Sequence, residues 1–312
     1  MNRLSIFSNL TWLNVLIGLA LLACQSIWGN LPITIQLTYF IAMIALTGIP
    51  HGALDHIVAN ANNVKLGKHF HFGKFLLKYI FAVILYAICW IYLPSISLLF
   101  FLIISAWHFG ETDIPNFNKQ WLWNINRILW GSFVLLLILL THQQETETIL
   151  LRITSNAKWV NITWTFLCKH QISVLSAIGL PVLLLSGLNA IKHKQQFSYA
   201  SFLNLIIILA ISIYLPLLPA FAIYFGGWHA IRSFEMIFGF LKSQQAYKQM
   251  NIMGMWKKTM PMTILAALFF VIASYTWSSI GITSDPLPVV FIFLSVITLP
   301  HLDVMNEMIK NS

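Results

Sequence analysis

Long apolar runs, separated by short polar or basic stretches, fill the chain from Thr11 to His301. A helix crosses the hydrocarbon of a bilayer with about 20 mostly apolar residues. Ten runs approach that length: Thr11–Trp28, Ile33–Ile49, Phe75–Leu93, Ser95–Phe109, Ile125–Leu140, Ile172–Ala190, Tyr199–Leu215, Leu217–Phe240, Pro261–Ile280 and Leu287–His301. Pro94 and Pro216 lie between runs and mark turns, because proline breaks the helix ladder. Thr141–Gln171 is mixed in character and predicts an interfacial helix around Trp159–Cys168. The pattern predicts an all-α, polytopic membrane bundle of about ten transmembrane helices, forming a single integral membrane domain over residues 1–312. Thr11–Trp28 is expected to stay as the first span. Leu21-Leu22-Ala23-Cys24 faintly resembles a lipoprotein cleavage site, but the region before it carries only Arg3.

Composition sharpens this picture. Hydrophobic residues make up 58% of the chain and charged residues 9%, where a soluble domain carries about 25% charged residues. Mean hydropathy is +0.78. This excludes disorder, which needs low hydrophobicity. The net charge of +9 comes from cations set in short runs between apolar blocks, a pattern of membrane topology and not of a nucleic-acid footprint. With the N-terminus inside, fourteen of the eighteen cations fall in inside segments: Arg3, Lys65, Lys68, Lys74, Lys78, Lys119, Arg127, Lys192, Lys194, Lys242, Lys248, Lys257, Lys258 and Lys310. Arg152, Lys158 and Lys169 fall outside, and Arg232 lies within a run. Both termini are therefore expected to be cytoplasmic, in a multi-pass protein of the cell membrane. Cys24, Cys89 and Cys168 form no CxxC pair and no disulfide framework.

Four histidines stand out by context. They occur in Pro-His-Gly-Ala-Leu-Asp-His (50–56), Trp-His-Phe-Gly-Glu-Thr-Asp (107–113), Gly-Gly-Trp-His-Ala-Ile-Arg (226–232) and Leu-Pro-His-Leu-Asp (299–303). In the ten-span topology His51, His108, His229 and His301 all lie in the cytoplasmic half of the membrane. Six of the nine acids, Asp55, Glu111, Asp113, Glu235, Asp303 and Glu307, lie within a few residues of these motifs. Ionisable groups inside a membrane normally face a partner or a cavity. A metal bound by imidazoles, with carboxylates fixing the ring tautomers, accounts for both sets. On a helix His51 and Asp55 are i,i+4 and His108 and Glu111 are i,i+3, so each pair shares a face. Glycines beside them (Gly48, Gly52, Gly110, Gly226, Gly227) permit close helix approach.

A plainer reading, an interfacial histidine bonded to a carbonyl, weighs most on His56 and His301 taken singly. It dominates for the loop residues His69, His71, His142, His170 and His193. Imidazoles without thiolates suit Fe, Zn, Cu or Ni; iron with open positions suits oxygen chemistry, while a hydrolytic zinc stays open on composition. No Ser-His-Asp order, Walker loop or dinucleotide fingerprint is present, and no lysine sits centrally in a run to carry a retinal Schiff base.

These four motifs, in this order, resemble the bacterioopsin-related protein (Brp/Blh) family of membrane β-carotene 15,15′-dioxygenases. The resemblance runs from the first motif to the last. It implies a multispan helical protein with histidine-bound iron(II), Fe(2+). It also implies central cleavage of β-carotene by O2 into two all-trans-retinal, and a functional link to a retinal-binding rhodopsin. Carried over by motif, His51, His108 and His229 are iron ligands and catalytic residues. Where the family's third motif has a second histidine four residues on, this chain has Ser233. The fourth ligand is then expected to be His301, and next His56, which is i+5 from His51 and reaches the same ion only if the helix ends or bends there. Asp55, Glu111, Asp113 and Asp303 are second-layer candidates. Trp107, Phe109, Tyr224, Phe225 and Trp228 are candidates for a polyene-binding wall, the substrate arriving laterally from membrane lipid. Two other readings use the same histidines: a membrane metal or cation transporter, and a carotenoid-binding accessory protein.

Overall fold

The structure is a computed structural model that describes residues 3–114, 121–192, 198–279 and 286–311. Lys119, His193, Lys194 and Ile280 lie outside the described residues. The described residues are helical, without strands. In chain order the helices are α1 (Arg3–Trp28), α2 (Ile33–Met43), a π turn (Ile44–Gly48), α3 (Ile49–Gly52), α4 (Asp55–Lys65), α5 (Phe72–Tyr92), α6 (Pro94–Asp113) and α7 (Trp121–Thr141). There follow α8 (Gln143–Ile153), α9 (Lys158–Lys169), α10 (Gln171–Lys192), α11 (Tyr199–Tyr214), α12 (Leu217–Tyr224), a second π turn (Phe225–His229) and α13 (Ala230–Ser243). A 3₁₀ turn (Gln245–Tyr247), α14 (Ile252–Ser279) and α15 (Pro286–Lys310) complete the chain.

Eight helices among the described residues are long and apolar enough to cross a membrane, and the chain is a multi-pass membrane protein. The ten apolar runs correspond to these eight and two more. One of the two is α11, whose 16 residues make it a shorter apolar helix. The other is Leu217–Phe240, where the second π turn separates α12 from α13. The mixed stretch forms α8 and α9, which brackets the helix expected around Trp159–Cys168. Burial differs sharply among the long helices: 56% of the α6 and α15 windows is buried, against 11% for α5 and 6% for α14. The helices α6 and α15, which carry His108 and His301, are thus packed in protein, while α5 and α14 present residues such as Leu77, Phe81, Leu268 and Val271 outward, as a lipid-facing surface does.

Packing divides the chain into two compact units. The first comprises residues 1–47, 105–151 and 156–232, and the second 48–104, 152–155 and 233–312. In the first unit α7 packs on α10 and α11, α12 packs on α2 and α11, and α1 packs on α11 and the second π turn. The C-terminal part of α6 crosses α7 backbone to backbone. A Cβ added at Gly110 would run into the Arg127 carbonyl, and one at Gly131 into the Ala106 carbonyl. Only glycine at both positions permits that approach. In the second unit α15 is the centre, packing on α3, α4, α5 and α14.

Candidate metal centre

The first unit brings two motif histidines together. His108 lies near the end of α6 and His229 closes the second π turn; both are buried, with ring centres 4.7 Å apart at 77°. Phe109 and Phe225 flank His229 at 4.8 and 5.6 Å, Phe225 stacked on it. The second unit brings together the other two. His51 and His301 are buried with ring centres 4.9 Å apart at 85°, and a ring nitrogen of each lies within 4.8 Å of the other's. Both histidines directly follow a proline, Pro50 at the start of α3 and Pro300 inside α15. Proline removes an N–H from the ladder and loosens the helix there.

These separations suit a shared ion. Ring centres this close leave room for an ion that each ring would bind through one nitrogen. The donor set is imidazole without thiolate, which fits Fe, Zn, Cu or Ni. His301 carries the orienting bond that metal-binding histidines use: its Nδ1 lies 2.7 Å from Asp55 Oδ1, with both side chains buried. A carboxylate only accepts, so Nδ1 carries a proton, and in the neutral ring Nε2 is the nitrogen with the lone pair. The Tyr79 hydroxyl donates to the other Asp55 oxygen at 3.1 Å.

Asp55 was expected to share a face with His51. It serves His301 instead, because α3 ends at Gly52 and the Ala53–Leu54 turn intervenes before α4, so helical i,i+4 spacing does not apply. That break is the bend the His56 alternative required, yet His56 sets its ring edge-on to Phe72 at 6.1 Å and is only partly buried. Asp303 faces outward and pairs with Lys78 at 2.7 Å. Glu111 forms a buried ion pair with Arg127, 3.7 Å apart. Sequence reasoning had treated Arg127 only as a topology marker. Asp113 accepts from Trp130 Nε1 at 3.1 Å, Tyr224 Oη at 2.8 Å and Trp228 Nε1 at 2.8 Å. It thereby ties α6 to both ends of the second π turn. Ser233 is fully buried in α13, and its hydroxyl has no hydrogen-bond partner among the described residues. Tyr79 and Arg127 were missed as site residues; the one available signal was a polar group within or at the edge of an apolar run.

The sequence model of the beta-carotene 15,15'-dioxygenase family matches residues 42–309, a span that holds all four histidines. A relative described as beta-carotene 15,15'-dioxygenase, from the uncultured marine bacterium 66A03, is 26% identical over 265 residues, covering 84% of this chain and 90% of that protein. No solved structure matches the chain. Most of the sequence thus falls under one family model, over a span that holds both histidine pairs, and the chain belongs to the beta-carotene 15,15'-dioxygenase family, which makes it a carotenoid dioxygenase.

Proposed function

We propose that this chain cleaves β-carotene at its central 15,15′ double bond with O2, giving two molecules of all-trans-retinal, with iron(II) held by His51, His108, His229 and His301. The observation that carries this reading is the pairing of buried motif histidines inside each unit, at 4.7 and 4.9 Å between ring centres. Iron(II) in such a set supplies a redox-competent centre with coordination positions left open for oxygen chemistry. Asp55 holds the His301 proton on Nδ1 and so aims Nε2. Phe109 and Phe225 keep water from the His229 ring and offer apolar, aromatic contact to a polyene. The Glu111–Arg127 pair sets two opposite charges against each other in an apolar interior. We place both chain ends on the cytoplasmic side of the cell membrane, with the histidines in the cytoplasmic half of the bilayer and the substrate entering from lipid. The retinal formed is a chromophore for a rhodopsin in the same membrane.

Carotene-accumulating cells test the reading. Cells that express the chain should lose orange colour and gain retinal, and cells that express His108→Ala should do neither. Persistent colour with the wild-type protein, or aldehydes longer than retinal, would show that the substrate or the cleavage position is wrong.

A further inference from the structure

His229 closes a π turn, a rare one-turn widening of the helix that recurs at functional sites. Support for the turn comes from α1, a helix that precedes the family match. The Asn14 amide nitrogen donates to the Ile223 carbonyl, two residues before the turn, at 3.0 Å. The Asn14 oxygen in turn accepts from the Tyr39 hydroxyl of α2 at 2.9 Å. Asn14 is buried at 3% exposure, and its side chain fills the space that a Cβ on Gly227 would occupy. On the neighbouring side, a Cβ on Gly226 would come within 2.8 Å of Met43 Cβ and 3.0 Å of Thr47 Oγ1. The Gly-Gly pair therefore serves to admit Asn14, the end of α2 and the first π turn against the second. The turn's far end is tied to Asp113 through Trp228.

We propose that Asn14 is a positioning residue for the metal centre: by holding the Ile223 carbonyl it fixes the π turn and with it the placement of His229 beside His108. This rests on the reading of His229 as an iron ligand. The role predicts a graded series. Asn14→Leu keeps the bulk and loses the amide; Tyr39→Phe loses only the bond that orients the amide. Gly227→Ala pushes Asn14 away without touching its chemistry.

The test uses full-length protein in detergent, with two readouts. Amide hydrogen exchange of the segment Ile223–Ala230 reports on the turn whether or not metal is bound. Iron affinity, by chelator competition, reports on His229. Asn14→Leu and Gly227→Ala should both speed exchange in that segment and weaken iron binding, by no more than the about 10- to 100-fold that a direct partner of a metal ligand contributes. Tyr39→Phe should do the same to a smaller degree. Thr11→Val, one turn earlier on α1 and removing a bond only to the Phe7 carbonyl, should leave both readouts at wild-type values. Wild-type iron affinity and wild-type exchange in Asn14→Leu would overturn the proposal, even if its melting temperature fell. Faster exchange with unchanged iron affinity would overturn the link to His229. If wild-type protein binds no iron while His108 and His229 stay paired, the ligand reading fails and Asn14's role in the centre falls with it. An exchange effect in Asn14→Leu would then mark the support of the turn alone.

Discussion

Asp55 carries more of the account than its place in the first motif announces. It accepts from His301 Nδ1 at 2.7 Å and from Tyr79 at 3.1 Å, so one buried carboxylate sets a ring tautomer and is itself held in place. Orienting partners of this kind are worth about 10- to 100-fold in metal affinity. Asp55→Ala should weaken iron binding by that amount in an equilibrium titration. Asp303→Ala should leave binding unchanged, since that exposed carboxylate pairs with Lys78 and exposed pairs contribute about 0–1 kcal/mol. Equal effects of the two substitutions would contradict the assignment. The sequence marked both acids, because each lies near a histidine, but proximity along the chain did not separate them. What separates them is a helix end at Gly52 and the arrival of α15 from nearly 250 positions away. The Glu111–Arg127 pair was hidden for a related reason: a cation beside an apolar run reads equally as a membrane-edge marker or as a buried partner.

At the scale of elements, helical class and the order of the apolar runs follow directly from hydropathy, and the mixed stretch resolves into α8 and α9 as two short helices. The π turns were not legible, since an inserted helical residue leaves the apolar pattern almost unchanged. Small residues and a proline gave the only hint: Gly226-Gly227 inside the second turn, and Gly48 closing the first with Pro50 just after it, each a residue that disturbs a helix or admits close packing. The α6–α7 crossing was visible in part, through Gly110 beside its motif; Gly131 drew no notice. Gly131→Ala forces a Cβ into the Ala106 carbonyl, backbone against backbone, so the helices must separate. Overpacking of this kind costs about 1–3 kcal/mol or more. A thermal melt should show lower stability, and His108, two residues from Ala106, should lose iron with it. A melt and an iron content both equal to wild type would show that the crossing is looser than the structure has it.

For the whole molecule, each of the two units pairs two motif histidines within itself. The chain shares its family with enzymes whose substrate is an apolar polyene, and a helical protein with outward apolar faces on α5 and α14 has access to such a substrate from the bilayer. A transporter using the same histidines would move metal across vesicles without consuming carotene. A carotenoid-binding accessory protein would hold the pigment without converting it. The decisive measurement is the stoichiometry of the reaction itself: anaerobically purified, iron-loaded protein in detergent is mixed with β-carotene and O2, and substrate loss, oxygen uptake and product are followed together. The account predicts two retinal formed and one O2 consumed per β-carotene lost, with no turnover in the iron-free protein or in His108→Ala. Intact β-carotene in the presence of bound iron, or products other than retinal, would contradict it.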